Sequence, residues 1–307
     1  MSNTAKRPPK RRRGLISRRA LPYVLSLPAL LVCIGILVPF FTAAFYSLQR
    51  YRMSQPWARE MNWGQNYLNF LSDPGFWSTL NVSLTYAVLT VGLELIFGLC
   101  IALLLQKRTR VNNFVSIMLL MPLMTAPALA ALMFKLMTNP GFGILSYYMT
   151  LIGVEDFRWG ASPSTALFTV VLVDIWVYTP FIMILLLAGL RSLPKQPFEA
   201  AALDGVPRVQ QFFRITLPML TPYILTAVLF RLLESIQQFD IIYAMTQGGP
   251  GDTLMVFQVE AYLNFFQSTN VGRSSTLLMI LWAITFFISN IFIKNWLRLR
   301  ERARGES

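Results

Sequence analysis

Residues 199–222 of this 307-residue chain read EAAALDGVPRVQQFFRITLPMLTP. The segment is polar and carries Gly205 and Pro207 near its centre, while a long apolar run flanks it on each side. A charged stretch that Gly and Pro interrupt is typical of a turn or loop in water. The segment therefore predicts a solvent-facing connection between two buried elements, with a surface on which it meets a partner.

The composition indicates an integral membrane protein. Hydrophobic residues make up 55% of the chain and charged residues 13%, and the mean hydropathy is +0.51. A soluble domain carries roughly a quarter charged residues. Since about 20 apolar residues cross a bilayer core as a helix, the sequence predicts six transmembrane helices, at 21–46, 80–105, 114–136, 165–190, 223–243 and 275–296. The predicted fold class is all-α, because backbone polar groups in lipid must be satisfied within each segment.

The basic residues predict the orientation of these helices. Twenty of the 27 lysine and arginine residues fall on the side that holds both termini and the 191–222 loop, and five fall on the other side. By the positive-inside rule both termini are cytoplasmic. The predicted parts are a basic cytoplasmic tail (1–20), a six-helix domain (21–296) with a cytoplasmic loop (191–222), and a C-terminal tail (297–307). A basic tail beside a membrane span is expected to meet anionic lipid, not nucleic acid.

Three segments of about 30 residues, at 47–79, 137–164 and 244–274, are predicted to be external. They contain aromatic pairs such as Phe76-Trp77 and Tyr147-Tyr148. These aromatics either form a belt at the membrane interface or belong to short helices that make a docking platform for an external partner.

The sequence lacks the residues on which several common catalytic and binding sites depend. The chain has no histidine, and Cys33 and Cys100 both lie in apolar runs. No G-x-x-x-x-G-K-[ST] phosphate loop occurs in the sequence. We therefore predict no catalytic residue, no metal site and no cofactor bound by this chain.

The polar segment has the pattern of two helices separated by a turn. A short helix at 195–203 is expected to stop at Gly205, which can adopt a positive φ, and Pro207 is expected to begin the second helix. Periodicity alone leaves open an amphipathic interfacial helix without a partner.

The ordered pattern resembles the cytoplasmic EAA loop of binding-protein-dependent permeases, the membrane subunits of bacterial ABC importers. The TQGGP sequence at 246–250 resembles a turn of the carbohydrate-uptake permeases of the maltose and glycerol-phosphate type. The resemblance covers about residues 21–296. The positions that match the EAA loop are Glu199, Ala200, Ala201, Asp204, Gly205, Ile215, Leu217 and Pro218.

The resemblance implies a type I ABC importer permease fold in the bacterial cytoplasmic membrane. It also implies a second permease subunit in a heterodimer, an ATPase dimer that holds ATP and Mg, and an external solute-binding protein. The residues that would couple the chain to the ATPase are Glu199, Ala200, Ala201, Asp204 and Gly205.

Polar residues within spans are expensive and mark either a pathway or an internal pair. Helical spacing puts Arg231, Ser235 and Gln238 on one face of the fifth span. With the register that the resemblance implies, the candidate pathway residues are Asp174, Trp176, Tyr178, Phe181, Arg231, Ser235, Gln237 and Gln238. The alternative for the charged positions is a set of structural ion pairs among Arg231, Glu234 and Asp240, with Glu94 and Lys135 serving packing.

The predicted function is a permease subunit that forms half of the pathway for a sugar or sugar-like solute. Monosaccharides, oligosaccharides, polyols, glycerol phosphate and sulfonated sugars all remain open, because Glu234 could neutralise Arg231. The alternatives are a secondary transporter and a polytopic membrane enzyme.

Overall fold

The computed structural model describes residues 21–154 and 156–304. The predicted basic tail at 1–20 and the last three residues of the predicted C-terminal tail lie outside this range. The helices are α1 (Leu21–Ser47), α2 (Gln65–Leu71), α3 (Pro74–Leu105), α4 (Arg110–Leu119), α5 (Pro127–Met137), α6 (Ile144–Leu151), α7 (Pro163–Ser192), α8 (Gln196–Leu203), α9 (Arg208–Gln211), α10 (Leu217–Ile236), α11 (Asp240–Thr246), α12 (Phe257–Phe266) and α13 (Val271–Arg304). Two short strands, β1 (Gln49–Arg50) and β2 (Glu60–Met61), form an antiparallel hairpin.

The described residues contain five helical segments that are long and apolar enough to cross a membrane. They are Leu25–Ser47, Pro74–Leu105, Pro163–Ser192, Arg208–Ile236 and Val271–Leu297. The pair Arg110–Met124 and Pro127–Met137 makes a sixth if it is counted as one span. The predicted all-α fold is therefore confirmed, with five continuous spans and a sixth where the bent pair is counted as one.

The third span bends by 91° at the break before α5. The sequence predicts a kinked helix over 114–136, but two prolines bracket the break. Pro127 disfavours helical backbone at the residue before it, and Ala126 is extended with ψ at 129°. The helix consequently ends after a 3-10 turn at Pro122–Met124 and starts again in a new direction.

The fifth span is longer at one end and shorter at the other than the predicted 223–243. It begins at Arg208, passes through a π-helical turn at Phe212–Thr216 and continues as α10 to Ile236. The second helix of the loop is thus continuous with a membrane-spanning helix. The chain then breaks at residues 237–239 before α11 starts.

Close packing of α3, α7 and α10 forms the centre of the bundle. A β-carbon at Gly98 of α3 would lie 2.9 Å from Cγ2 of Ile182 on α7. A β-carbon at Gly189 of α7 would lie 2.6 Å from Cγ of Tyr223 on α10. Glycine lets membrane helices approach this closely, so these two positions set the spacing of the three helices.

The two ends of the bundle differ. One end, which we call the loop end, carries α8 and α9. The opposite end carries the hairpin and the short helices α2, α6 and α12, so each of the three segments predicted to be external contains a short helix. Of the two interpretations of their aromatic residues, this agrees with short helices at the surface.

Candidate functional site

Arg231 lies at the centre of a buried ion cluster that joins three membrane-spanning helices. Its Nε donates to Oε2 of Glu94 on α3 at 2.7 Å, and its Nη2 donates to Oε1 of the same carboxylate at 2.8 Å. Nη2 also donates to Oδ2 of Asp174 on α7 at 2.9 Å. All three side chains are 1% exposed or less. Charge-assisted hydrogen bonds therefore tie α10 to both α3 and α7 in the interior of the bundle.

The cluster reaches the protein surface through Glu234. Its Oε2 accepts a hydrogen bond from Nη1 of Arg231 at 3.1 Å, and its side chain is 50% exposed. The ring of Tyr178 covers the guanidinium, with its centroid 3.9 Å from Cζ. A cation over an aromatic face at this distance is a favourable contact. Of the three carboxylates around Arg231, only that of Glu234 faces outward.

Amide and hydroxyl groups extend the cluster. Nε2 of Gln238 donates to Oδ1 of Asp174 at 3.3 Å. The hydroxyl groups of Thr90 on α3 and Ser235 on α10 lie 2.8 Å apart and share a hydrogen bond. The hydroxyl of Tyr86 is buried and has no hydrogen-bond partner within the described part of the chain. The three helices are thus joined by a polar layer and not by charge alone.

Most of the predicted pathway residues come together in this cluster. Asp174, Tyr178, Arg231, Ser235 and Gln238 all belong to it and are all buried. Their burial supports the alternative in which Arg231 is part of a structural ion pair.

Three other predicted pathway residues lie outside the cluster. Trp176 is exposed, and its ring packs edge-on against that of Phe134 with centroids 5.4 Å apart. Phe181 is half-buried among apolar side chains. Gln237 is exposed, and its Nε2 donates to the backbone oxygen of Leu233 at 3.0 Å. Trp176 and Gln237 are therefore the members of the set that a solute or a partner could touch.

The structure gives Glu94 a different role from the one that the sequence predicts. A packing role was expected, but the structure gives it the bidentate contact with Arg231. The signal in the sequence was an acidic residue within an apolar helix, which requires a buried partner. The sequence could not identify that partner, because it lies 137 residues away.

Two further charged residues take no part in the cluster. Asp240 is exposed at the start of α11 and forms no ion pair with any described residue. Nζ of Lys135 donates to the backbone oxygen of Ala244 at 3.4 Å. The interpretation as structural ion pairs thus applies to Glu234 but not to Asp240.

An aromatic surface continues from Gln237 towards the opposite end. The rings of Phe239 and Tyr243 stack with centroids 4.9 Å apart, and the ring of Tyr262 lies 4.8 Å from that of Tyr243. A cavity of ≈ 390 Å³ beside them is lined by Gln237, Phe239, Gln258, Ala261, Tyr262, Phe265, Phe266, Ser274 and Leu278. Two amide side chains and four aromatic rings there make a surface with the groups that bind sugars: planar hydrogen-bonding amides and flat apolar faces.

At the loop end, α8 presents its side chains to solvent. Glu199 and Ala200 are exposed, whereas Ala201 is buried against the body of the protein. The Glu199 side chain forms no hydrogen bond or ion pair with the residues that the structure describes, although its backbone N–H donates to the backbone oxygen of Lys195 at 3.0 Å. Asp204 and Gly205 are exposed in the turn that follows, and Gly205 has the predicted positive φ, at +68°. This end of α8 is free to contact a partner.

A basic groove of ≈ 860 Å³ lies beside α8. Glu199, Ala202 and Phe198 line it together with the basic side chains of Lys107, Arg108, Arg191 and Lys195. Nη2 of Arg191 donates to the backbone oxygen of Leu105 at 2.9 Å. That bond anchors the start of the loop to the end of α3.

Residues 94–304 match the family described as binding-protein-dependent transport system inner membrane component. The chain belongs to this family. It is therefore a membrane permease subunit of a binding-protein-dependent ABC importer, and the family is that of a transport subunit and not of an enzyme.

Two curated relatives share most of their length with this permease. It is 31% identical over 275 residues to the trehalose/maltose transport system permease protein MalF of Thermococcus litoralis, covering 89% of this chain and 92% of that protein. It is 29% identical over 277 residues to the sulfoquinovosyl glycerol transport system permease protein SmoG of Agrobacterium fabrum, covering 90% of each.

The fold of the permease is also that of a solved transporter. A chain of a bacterial ABC transporter involved in the import of the acidic polysaccharide alginate superposes with a TM-score of 0.78, covering 92% of this permease and 96% of that chain. The identity is 19%, so the comparison shows the fold alone.

Proposed function

We propose that this permease forms one half of a translocation pathway for a sugar or sugar-like solute, and that a separate ATPase drives it through α8. The loop end is then cytoplasmic, and the opposite end receives the solute from an external binding protein. ATP and Mg are bound by the ATPase, and the chain itself binds no cofactor and no nucleic acid.

The observation that carries the proposal is the connection from α8 to the buried cluster. The chain runs from α7 through α8 and α9 directly into α10. Asp174 on α7 and Arg231 on α10 are joined by a hydrogen bond of 2.9 Å. A displacement of α8 by a partner therefore acts on two helices that are locked together within the membrane.

The exposed surface of α8 supports its role in contacting the ATPase. Glu199 and Ala200 face solvent on a short helix, and the small side chain at Ala200 allows another surface to approach closely. Gly205 then turns the chain in a conformation that other residues adopt only at a cost. This exposure and this turn support a coupling role for the segment, with Asp204 in the turn and Ala201 packed inward.

The relatives and the aromatic surface support a sugar as the solute. Both curated relatives are named for sugar transport. The cavity that Gln237 and Tyr262 line offers amides for hydroxyl groups and rings for the flat faces of sugars.

A complete pathway requires a second permease subunit, and the exposed polar residues of α10 support its presence. Glu234 and Gln237 are exposed on a membrane-spanning helix or at its end, where lipid contact with a carboxylate is costly. A partner subunit of the same fold covers this side of α10 and leaves the polar side chains facing an enclosed, watery path. We propose a heterodimer in the bacterial inner membrane.

The test is uptake by the assembled importer. The chain is purified with the subunits that accompany it, placed in liposomes together with its solute-binding protein, and assayed with labelled trehalose and maltose. We expect uptake that requires ATP and that is lost in the Gly205→Pro variant. Uptake that is independent of ATP would favour a secondary transporter and contradict the proposal.

A further inference from the structure

The guanidinium of Arg231 is enclosed on every side. Glu94 occupies Nε and one hydrogen of Nη2, Asp174 takes a second hydrogen bond from Nη2, and Glu234 occupies Nη1. The ring of Tyr178 covers one face at 3.9 Å. The Arg231 side chain is 1% exposed. Its positive charge is therefore compensated by groups within the protein and is not accessible to a solute.

The charge that does reach the surface is negative. The side chain of Glu234 is 50% exposed, and Gln237 is exposed three residues further along the chain. We call these two residues the α10 polar face. Because a carboxylate is not stable against lipid tails, this face meets water or another protein.

Carboxyl groups outnumber the guanidinium in the cluster. One guanidinium stands against the carboxyl groups of Glu94, Asp174 and Glu234. For Arg231 to bind an anionic solute it would have to leave Glu94 and Asp174, which would strand two buried carboxylates without a counter-ion. Two effects therefore oppose binding of an anion by Arg231. Its ion pairs with Glu94 and Asp174 would be lost, and the exposed carboxylate of Glu234 would repel the anion.

We propose that the α10 polar face is a specificity element that selects against anionic sugars and passes neutral, hydroxyl-rich ones. The inference rests on the proposed function, in which this face lines the solute path. The carboxylate of Glu234 accepts hydrogen bonds from vicinal sugar hydroxyls, and the amide of Gln237 both donates and accepts. The same carboxylate repels a carboxylate, sulfonate or phosphate group on a passing solute.

A charged-reagent assay tests the sign of the potential without any transport. Gln237→Cys is introduced into the assembled importer after Cys33→Ser and Cys100→Ser, and the rates of labelling by a cationic and an anionic methanethiosulfonate of similar size are compared. We expect the cationic reagent to react roughly threefold to tenfold faster. In Glu234→Gln the two rates should converge, whereas Glu260→Gln, a carboxyl removed outside the spans, should leave the ratio unchanged.

Three results would overturn the proposal. They are a preference for the anionic reagent, a cationic preference that survives Glu234→Gln, and a thiol that reacts with neither reagent. The last would show that this face does not meet water.

Sugar protection of the same thiol tests the selectivity. Trehalose should slow the labelling, a uronic-acid disaccharide of equal size should not, and Glu234→Gln should let both protect. Equal protection by the two sugars in the chain that keeps Glu234 would overturn the proposal. Faster labelling by the cationic reagent, with no protection by either sugar, would support a negative potential at the α10 polar face. It would count against the proposed function, in which this face contacts a sugar.

Discussion

Glu94 and Arg231 meet through two parallel hydrogen bonds, Oε2 to Nε at 2.7 Å and Oε1 to Nη2 at 2.8 Å, with both side chains buried. Glu94 lies 11 residues before the end of α3, which is roughly 16 Å of helical rise. The pair therefore sits within the hydrocarbon depth of a bilayer whose core is about 30 Å thick. A pair at this depth is exposed to neither solvent nor salt and holds α3 against α10.

Removing Arg231 should cost much more than removing an ion pair near the surface. Arg231→Met leaves Glu94 and Asp174 buried without a counter-ion, so we expect a loss of about 3–5 kcal/mol of stability. The matched control is Arg273→Met, whose pair with Asp73 is 40% and 38% exposed and should contribute about 1 kcal/mol or less. Thermal unfolding of the chain in detergent measures both, and equal losses would contradict the structural role of the cluster. Adding Glu94→Gln to Arg231→Met should restore part of the loss.

Gly98 and Gly92 of α3 provide a paired test of helix packing. Gly98→Leu forces a side chain into Ile182, and we expect a loss of about 1–3 kcal/mol or complete failure to fold. Gly92→Leu lies on the same helix with no atom within 4 Å of its β-carbon, and should change stability by only about 0.5 kcal/mol. Melting temperatures of the two variants decide the matter. Similar values would show that α3 and α7 are not in close contact at Gly98.

Gly205 tests the conformation of the turn after α8. Its β-carbon would meet nothing within 4 Å, so any effect of a substitution comes from its φ of +68°. Gly205→Val should weaken coupling, because a β-branched residue in the left-handed region costs about 1–2 kcal/mol. Gly205→Asn should retain most of it, since Asn adopts this conformation more readily. ATP hydrolysis that responds to the binding protein is the measurement, and equal loss in both variants would contradict the account.

The carboxyl group of Glu260 on α12 should make the folding stability of the chain depend on pH. Burial raises the pKa of its carboxyl above the ordinary value of 4.5, although Thr79 donates to it at 2.8 Å and Arg273 lies 3.9 Å away. The folded state therefore binds the proton more tightly than the unfolded state does. The contribution of this group to stability is full below about pH 4.5 and declines as the pH rises through the folded-state pKa.

Glu260→Gln should remove that decline while it keeps an acceptor for Thr79. The gap in melting temperature between Glu260→Gln and the unaltered chain should consequently grow in favour of the variant as the pH rises above 4.5. Glu199→Gln, a change at an exposed residue, serves as the control. Profiles for Glu260→Gln and the unaltered chain that run parallel at all pH values would refute the prediction.

The spans could be predicted because lipid imposes a length and an apolar composition on each helix. The loop could be predicted because Gly205 and Pro207 have strong local preferences, and the structure shows the turn that they imply. The 91° break before α5 was not predicted, since its geometry depends on two prolines acting on a short stretch between them. Its consequence is a re-directed helix where a kinked one was expected.

The buried cluster could be predicted only in part. Helical periodicity places Arg231, Ser235 and Gln238 on one face of the fifth span. In the structure Gln238 lies just beyond the end of α10, but all three side chains take part in the buried cluster. Periodicity acts within one helix, however, and gives no information on which helix lies opposite. The partnership of Arg231 with Glu94 is a tertiary contact, so it required the packing of α3 on α10.

The most direct test of the central claim is a cross-link from α8 to an ATPase. Ala200→Cys is introduced into the chain that carries Cys33→Ser and Cys100→Ser, treated in native membranes with a short thiol-to-amine cross-linker, and the adduct is identified by mass spectrometry. The exposed Met53 at the opposite end, as Met53→Cys, is the control position. We expect Ala200→Cys to capture an ATPase subunit and Met53→Cys not to do so. Capture of no ATPase from Ala200→Cys, with the chain folded and in the membrane, would contradict the coupling role of the loop.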